Sequence, residues 1–220
     1  MRDVSFVVSP GEVVGVVGSN GTGKTTLMRV LSTLSIADSG QILCDGQEGL
    51  RRPNKYRRQI GYLPERVALY EDMTPREYLA YRAALKGEPP RRVRRRVSEA
   101  ADMCQITDVL RTPIRLLSLG YKKRVALADA ILLRPRVLLL DDFLAGIDRD
   151  MRLAMGSILS NAAAFSSVIV TGHEIEDFTR CLTRFLVLKG GVISSVIPTA
   201  GASSADLVER VELALHGGSR

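Results

Sequence analysis

Two short stretches carry the reactive groups of this chain. The first is Gly18-Ser19-Asn20-Gly21-Thr22-Gly23-Lys24-Thr25, followed by Thr26. It fits G-x-x-x-x-G-K-[ST] at every position, with a valine-rich segment before it and helical spacing after it. Glycines there let backbone N–H groups converge on phosphate oxygens. A helix starting at the loop adds the positive end of its dipole. In that setting Lys24 reaches the β- and γ-phosphates of a nucleotide, and the Thr25 hydroxyl ligates Mg²⁺. A plain glycine turn leaves Lys24-Thr25 in register without a reason. A dinucleotide loop has the wrong spacing, because Gly18, Gly21 and Gly23 do not fall as G-x-G-x-x-G.

The second stretch is "RVLLLDDFLAGID", from Arg136. Val137 to Leu140 are apolar and run into two adjacent carboxylates, Asp141 and Asp142. A phosphate loop with a carboxylate after an apolar strand defines a broad class of nucleotide-binding proteins.

These residues need elements to hold them. "DVSFVV" alternates weakly and reads as a strand, and Val13 to Val17 read as a buried strand leading into the loop. "KTTLMRVLSTL" has helical spacing, with Leu27, Val30, Leu31 and Leu34 on one side. "ADSGQILCDGQ" is a turn, a short strand and a turn. "RRQIGYLPE" ends a strand at Leu63, and Pro64 breaks it. From Thr74, a plausible N-cap with Pro75 behind it, the pattern turns helical through Tyr78, Leu79 and Leu85. "KGEPP" links to a helix over roughly 91–104, and another follows Leu117. Then come a strand over 136–140, a helix around 149–164 and the strand "SSVIVTG". A short helix, the strands "RFLVLKG" and "GVISSV", and a helix over about 203–215 complete the chain. Alternating strands and helices imply an α/β fold with a largely parallel sheet. The purely helical stretch, about 74–110, reads as a second lobe.

Composition narrows the partners. The chain has 220 residues, 45% hydrophobic and 25% charged, which fits one large globular domain or two small lobes. A formal net charge of +7 favours anionic partners without choosing among them. Cys44, Cys104 and Cys181 form no paired framework and read as free thiols of a reducing cytosol. The start is not a signal peptide, and no apolar run approaches the ~20 residues of a membrane-spanning helix. Any membrane spans must therefore come from another chain.

The segment "LLSLGYKKRVALADAILLRPRVLLLDDFLAGID" resembles the core of an ATP-binding cassette (ABC) ATPase. Leu117-Ser118-Leu119-Gly120-Tyr121 stands for the family signature LSGGQ, with Arg124 after it. "IGYLPE", Ile60 to Glu65, is similar to the Q-loop, and "AGID", Ala145 to Asp148, to the D-loop. "VTGHE" places His173 where the switch histidine belongs. The order of motifs is the family's, over nearly the whole chain.

The resemblance implies a P-loop NTPase core over 1–65 and 130–200, a small antiparallel β part, a helical subdomain over about 74–129 and a C-terminal helix. It implies an ATPase binding Mg-ATP, with Thr25, Asp141 and Glu65 around Mg²⁺ and Asp142, His173 and Glu65 in catalysis. Two cassettes would pair, as a homo- or heterodimer. Ser118 and Gly120 of one would then face the ATP held by Gly18 to Thr26 of the other, with Asp148 in the contact. The partner is an integral membrane permease, the location cytoplasmic and peripheral on the inner face of the membrane, and nucleic acid is not expected. "IGYLPE…LYEDMTPREYL" further resembles cassettes serving ABC-2-type exporters.

Four departures bear on activity. Asp142 replaces the usual glutamate and is shorter by one C–C bond, roughly 1.5 Å, so slow turnover is expected. Glu65 replaces the Q-loop glutamine. Leu119 and Tyr121 alter the signature, and Phe143 and Leu144 replace Pro-Thr. Finally, the chain starts late for the family, without the strand whose aromatic stacks on adenine. The expectation is an upstream start, because a lost edge strand exposes a sheet edge; Phe6 reads as a core residue rather than as a stand-in. "RRVRRR", Arg91 to Arg96, reads as a solvated helix face, with anionic lipid or an acidic partner loop as the sharper alternative. His216 carries no motif. One rival reading is a degenerate cassette that grips ATP beside a competent partner. A soluble cassette acting on ribosomes or DNA is the other, and the single cassette without heptads speaks against it.

Overall fold

Five consecutive residues, Val13–Val17, are all buried and form β1. Burial of every residue means that both faces are covered, the pattern of a parallel sheet inside an α/β protein. In the computed structural model, which describes residues 1–172 and 179–216, β1 lies inside a six-stranded sheet. The other strands are β4 (Ile60–Leu63), β5 (Val137–Leu140), β6 (Ser167–Thr171), β7 (Arg184–Lys189) and β8 (Val192–Pro198). Their order is β4-β5-β6-β1-β7-β8, parallel except for the final β7–β8 pair. The short strands β2 (Leu43–Cys44) and β3 (Gln47–Glu48) form a separate antiparallel pair.

Side chains alternate across the sheet. Val14, Val16, Leu139, Ile169 and Leu186 face α1 (Lys24–Leu31), where Leu27 and Met28 complete one core. Val13, Val17, Leu138, Leu140, Val168 and Phe185 face the other way. There they meet Met155, Ile158 and Leu159 of α6 (Arg149–Ala162). Leu207 and Val211 of α7 (Ser204–His216) belong to this second core.

The helical part holds α3 (Pro75–Leu85), α4 (Pro90–Met103) and α5 (Leu119–Ile131). Thr74 caps α3 in a reciprocal box with Glu77, as its position before Pro75 predicted. Asp129 of α5 fastens α3: Arg82 Nε lies 2.9 Å and Lys86 Nζ 2.6 Å from its carboxylate. On α4, Arg91, Arg92, Arg94 and Arg95 are exposed, Arg96 is drawn onto Glu88 and Glu99, and Val97, Ala100 and Ala101 are buried.

Three expectations are corrected. Residues 1–12 form no strand: Arg2 N–H donates to Gly191 O, but no ladder follows, and Val7 is 78% exposed. Phe6 does pack, half-buried, against the α1 core. Leu34 is not on the inner face of α1, because the helix ends at Leu31, Thr33 turns left-handed at φ 58° and Leu34 emerges into solvent. A short helix, α2 (Pro53–Arg57), stands where none was expected; Pro53 starts it and Tyr56 anchors it, its hydroxyl donating to Leu31 O at 2.8 Å. The helix expected after β6, and His173 with it, lie outside the described residues.

Candidate functional site

The C-terminal ends of the parallel strands meet the glycine loop, the usual place for ligands in such sheets. β1 ends at Val17 and feeds the loop; α1 begins at Lys24 with Gly23 as its cap, at φ 104°. A side chain at Gly18 would stand 2.5 Å from Leu188 O, so only glycine lets the loop leave the sheet here. Thr22 Oγ1 donates to Ser19 O at 2.8 Å, tightening the loop from within. Lys24 is 7% exposed, and its Nζ donates to Gly18 O at 2.6 Å and Ser19 O at 3.1 Å. Burial lowers its pKa, and the carboxylates of Asp142 and Asp141 oppose that shift.

A cavity of about 510 Å³ opens over the loop. Asn20, Gly21, Gly23, Lys24, Thr25 and Thr26 form one wall, with Glu65, Asp141 and Asp142 on the other. The carboxylates arrive from neighbouring strands: Asp141 and Asp142 follow β5, and Glu65 follows β4 by two residues. Asp141 N–H extends the β4–β5 ladder by donating to Leu63 O at 2.9 Å.

Asp141 is 1% exposed. Its Oδ1 accepts from Thr171 Oγ1 at 2.7 Å and from Thr25 Oγ1 at 3.3 Å. Its Oδ2 is buried and has no hydrogen-bond partner among the described residues. Burial raises its pKa, partly offset by the two threonine bonds. A buried carboxylate oxygen left without a partner, beside a threonine hydroxyl and facing a polar cavity, fits a hard divalent cation. Asp142 is half-buried and holds φ 43°, a left-handed conformation rare outside glycine. Its N–H donates to Thr171 Oγ1 at 2.9 Å. Phe143 and Leu144 follow, buried in the core.

Ser118, Gly120 and Asp148 do not line the cavity. Ser118 caps α5, accepting from Tyr121 N–H, and Asp148 caps α6, accepting from Met151 N–H at 2.8 Å. Gly120 is buried against Met151, whose Cε would lie 2.6 Å from an added Cβ.

Two residues escaped the sequence reading. Thr171 sits inside the quoted "VTGHE", but what brings it to the aspartates is the pairing of β6 with β5, which no local pattern carries. Lys123 had no signal, because a lysine in a helix usually points to solvent; here its Nζ donates to Phe143 O at 2.8 Å and to Ala145 O.

The ABC transporter family profile matches residues 1–145. The chain belongs to the ABC transporter family. Among its relatives is the sulfate/thiosulfate import ATP-binding protein CysA of Methylococcus capsulatus, 33% identical over 203 residues, 89% of this chain and 58% of that protein. Another is YxlF of Bacillus subtilis, an uncharacterized ABC transporter ATP-binding protein, 30% identical over 88% of this chain and 64% of its own length. This ABC-family chain thus spans about three fifths of these curated relatives. A solved structure of an ATP binding subunit of an ABC transporter superimposes with a TM-score of 0.81 at 27% identity, covering 96% of this chain and 92% of that one. The α/β cassette fold, a mostly parallel sheet plus a small antiparallel one, is that of the family. Among the described residues no helix is long and apolar enough to cross a membrane.

Proposed function

We propose that this chain is the ATP-hydrolysing subunit of an ABC transporter, driving a separate membrane permease from the inner membrane face. The observation that carries the reading is the cavity: a phosphate loop facing three carboxylates, one of them with a buried oxygen that has no hydrogen-bond partner among the described residues. Loop N–H groups and the α1 N-terminus receive the phosphates. Lys24 exchanges the carbonyls of Gly18 and Ser19 for phosphate oxygens. Thr25, Asp141 and Glu65 would hold Mg²⁺, which supplies neutralisation of charge on the phosphate oxygens. Asp142 accepts the proton of the attacking water, with His173 as the γ-phosphate sensor. Ser118 and Gly120 reach a nucleotide held by a second cassette, and Asp148 lies in that contact; their separation from the cavity of their own chain supports a shared site.

Within this reading, export rests on the likeness of "IGYLPE…LYEDMTPREYL" to ABC-2-type cassettes. The import proteins among the relatives point the other way, and transport assayed in vesicles with the permease that binds this chain decides the direction. A second reading, a nucleotide-gripping cassette beside a competent partner, is favoured by the shorter Asp142.

Single-turnover hydrolysis of Mg-ATP at high protein concentration tests both. Turnover by the native chain that Asp142→Asn lowers by ~10²-fold or more establishes Asp142 as the base. Native and Asp142→Asn chains that are equally inert, with Asp142→Glu active, would move the assignment to the second reading.

A further inference from the structure

Lys123 lies in the second turn of α5 and is only 6% exposed. Its ammonium sits on the carbonyls of Phe143 and Ala145, one and three residues past Asp142. Burial pulls this lysine below its ordinary range, and the carboxylates of Asp142 and Glu65 oppose the shift. A loop staple alone does not call for a cation: an apolar side chain of similar length fills the space without desolvating a charge. What the cation adds is hold on one particular backbone. Asp142 is a left-handed, non-glycine residue, a conformation that persists only where its surroundings over-determine it. Thr171 Oγ1 fixes its N–H on one side. Lys123 fixes the chain that leaves it on the other.

We propose that Lys123 is a positioning residue for Asp142, clamping the carbonyls of Phe143 and Ala145 so that the left-handed turn keeps the Asp142 carboxylate in the cavity wall. The proposal rests on the hydrolytic reading of that cavity. It also ties α5, whose N-terminus is capped by Ser118 and carries Gly120, to the carboxylate of the same chain.

The test compares the full-length native chain with Lys123→Met, which keeps the stem and loses the donors, and Lys123→Arg, which keeps donors. Hydrogen exchange is followed in peptides spanning 141–147 and 18–25, alongside kcat and KM for Mg-ATP and Kd for ADP. In Lys123→Met, exchange over 142–147 should rise about tenfold or more with 18–25 unchanged. A displaced base should lower kcat on the order of 10²-fold, with KM and the ADP Kd within about threefold. Lys123→Arg should recover about tenfold of the lost kcat. Unchanged exchange at 142–147, or a KM that rises in step with a falling kcat, overturns the proposal. Should Lys123→Met not fold, Lys123→Ala gives the same comparison. A native chain without turnover defeats the hydrolytic reading instead, and the exchange result still decides whether Lys123 clamps the loop.

Discussion

Asp141 shows how the site is built against stability. One oxygen is satisfied by Thr171 and Thr25, while the other is buried with no partner among the described residues. An orphaned buried polar atom costs about 1–3 kcal/mol, more when charged. Because the fold raises this carboxyl's pKa, the stability it contributes is full below the unfolded-chain value and is lost as pH rises through the folded value. Asp141→Asn should therefore stabilise the nucleotide-free protein, raising Tm by roughly 2–4 °C at neutral pH, with the gain fading in acid. On the proposed reading Mg-ATP should raise the Tm of the native chain, and the substitution should abolish that shift. Melting curves with and without Mg-ATP measure both; an Asn variant that melts lower than native would show that the charge is not the burden described. Thr171, which serves both aspartates, was not legible from sequence, since its role follows from β6 lying beside β5.

At the scale of elements, Asp129 joins α3 to α5. Its side chain is 12% exposed and faces Arg82 and Lys86, each about a third exposed. Tyr78 OH adds a longer contact at 3.4 Å. Removing the one acid shared by two cations leaves both without it, a loss of 3–5 kcal/mol in a fully buried pair. Partial exposure of the two heads reduces this to about 2–3 kcal/mol for Asp129→Ala, measurable by urea unfolding. A loss below about 0.5 kcal/mol would show that apolar packing alone joins the helices. The start of α3 was legible because capping chemistry is local: Thr74, Pro75 and Glu77 meet within one turn. The end of α1 was not, because its apolar spacing continues to Leu34 and the left-handed Thr33 ends it.

For the whole molecule, the cavity residues and the α5 N-terminus lie on separate parts of one chain. If two cassettes share each nucleotide, Ser118→Arg should abolish the Mg-ATP-dependent association of an Asp142→Asn chain in light scattering. Its ADP affinity should stay within about threefold, since Ser118 does not line the cavity. Association that survives this substitution would place the contact elsewhere. Dimerisation that brings two chains of net charge +7 together should strengthen as salt rises.

The phosphate loop, the paired aspartates and the strand–helix alternation can be read from local pattern alone. Each depends on neighbours in the chain: glycine freedom, dipole direction, side-chain period. Strand order and the docking of α5 against the loop after β5 set which carboxylates share a wall with the loop, which oxygen of Asp141 lacks a partner among the described residues, and that Thr171 meets the Asp142 N–H while Lys123 meets the carbonyls of Phe143 and Ala145. Residues far apart in sequence meet there, and no local pattern records the meeting.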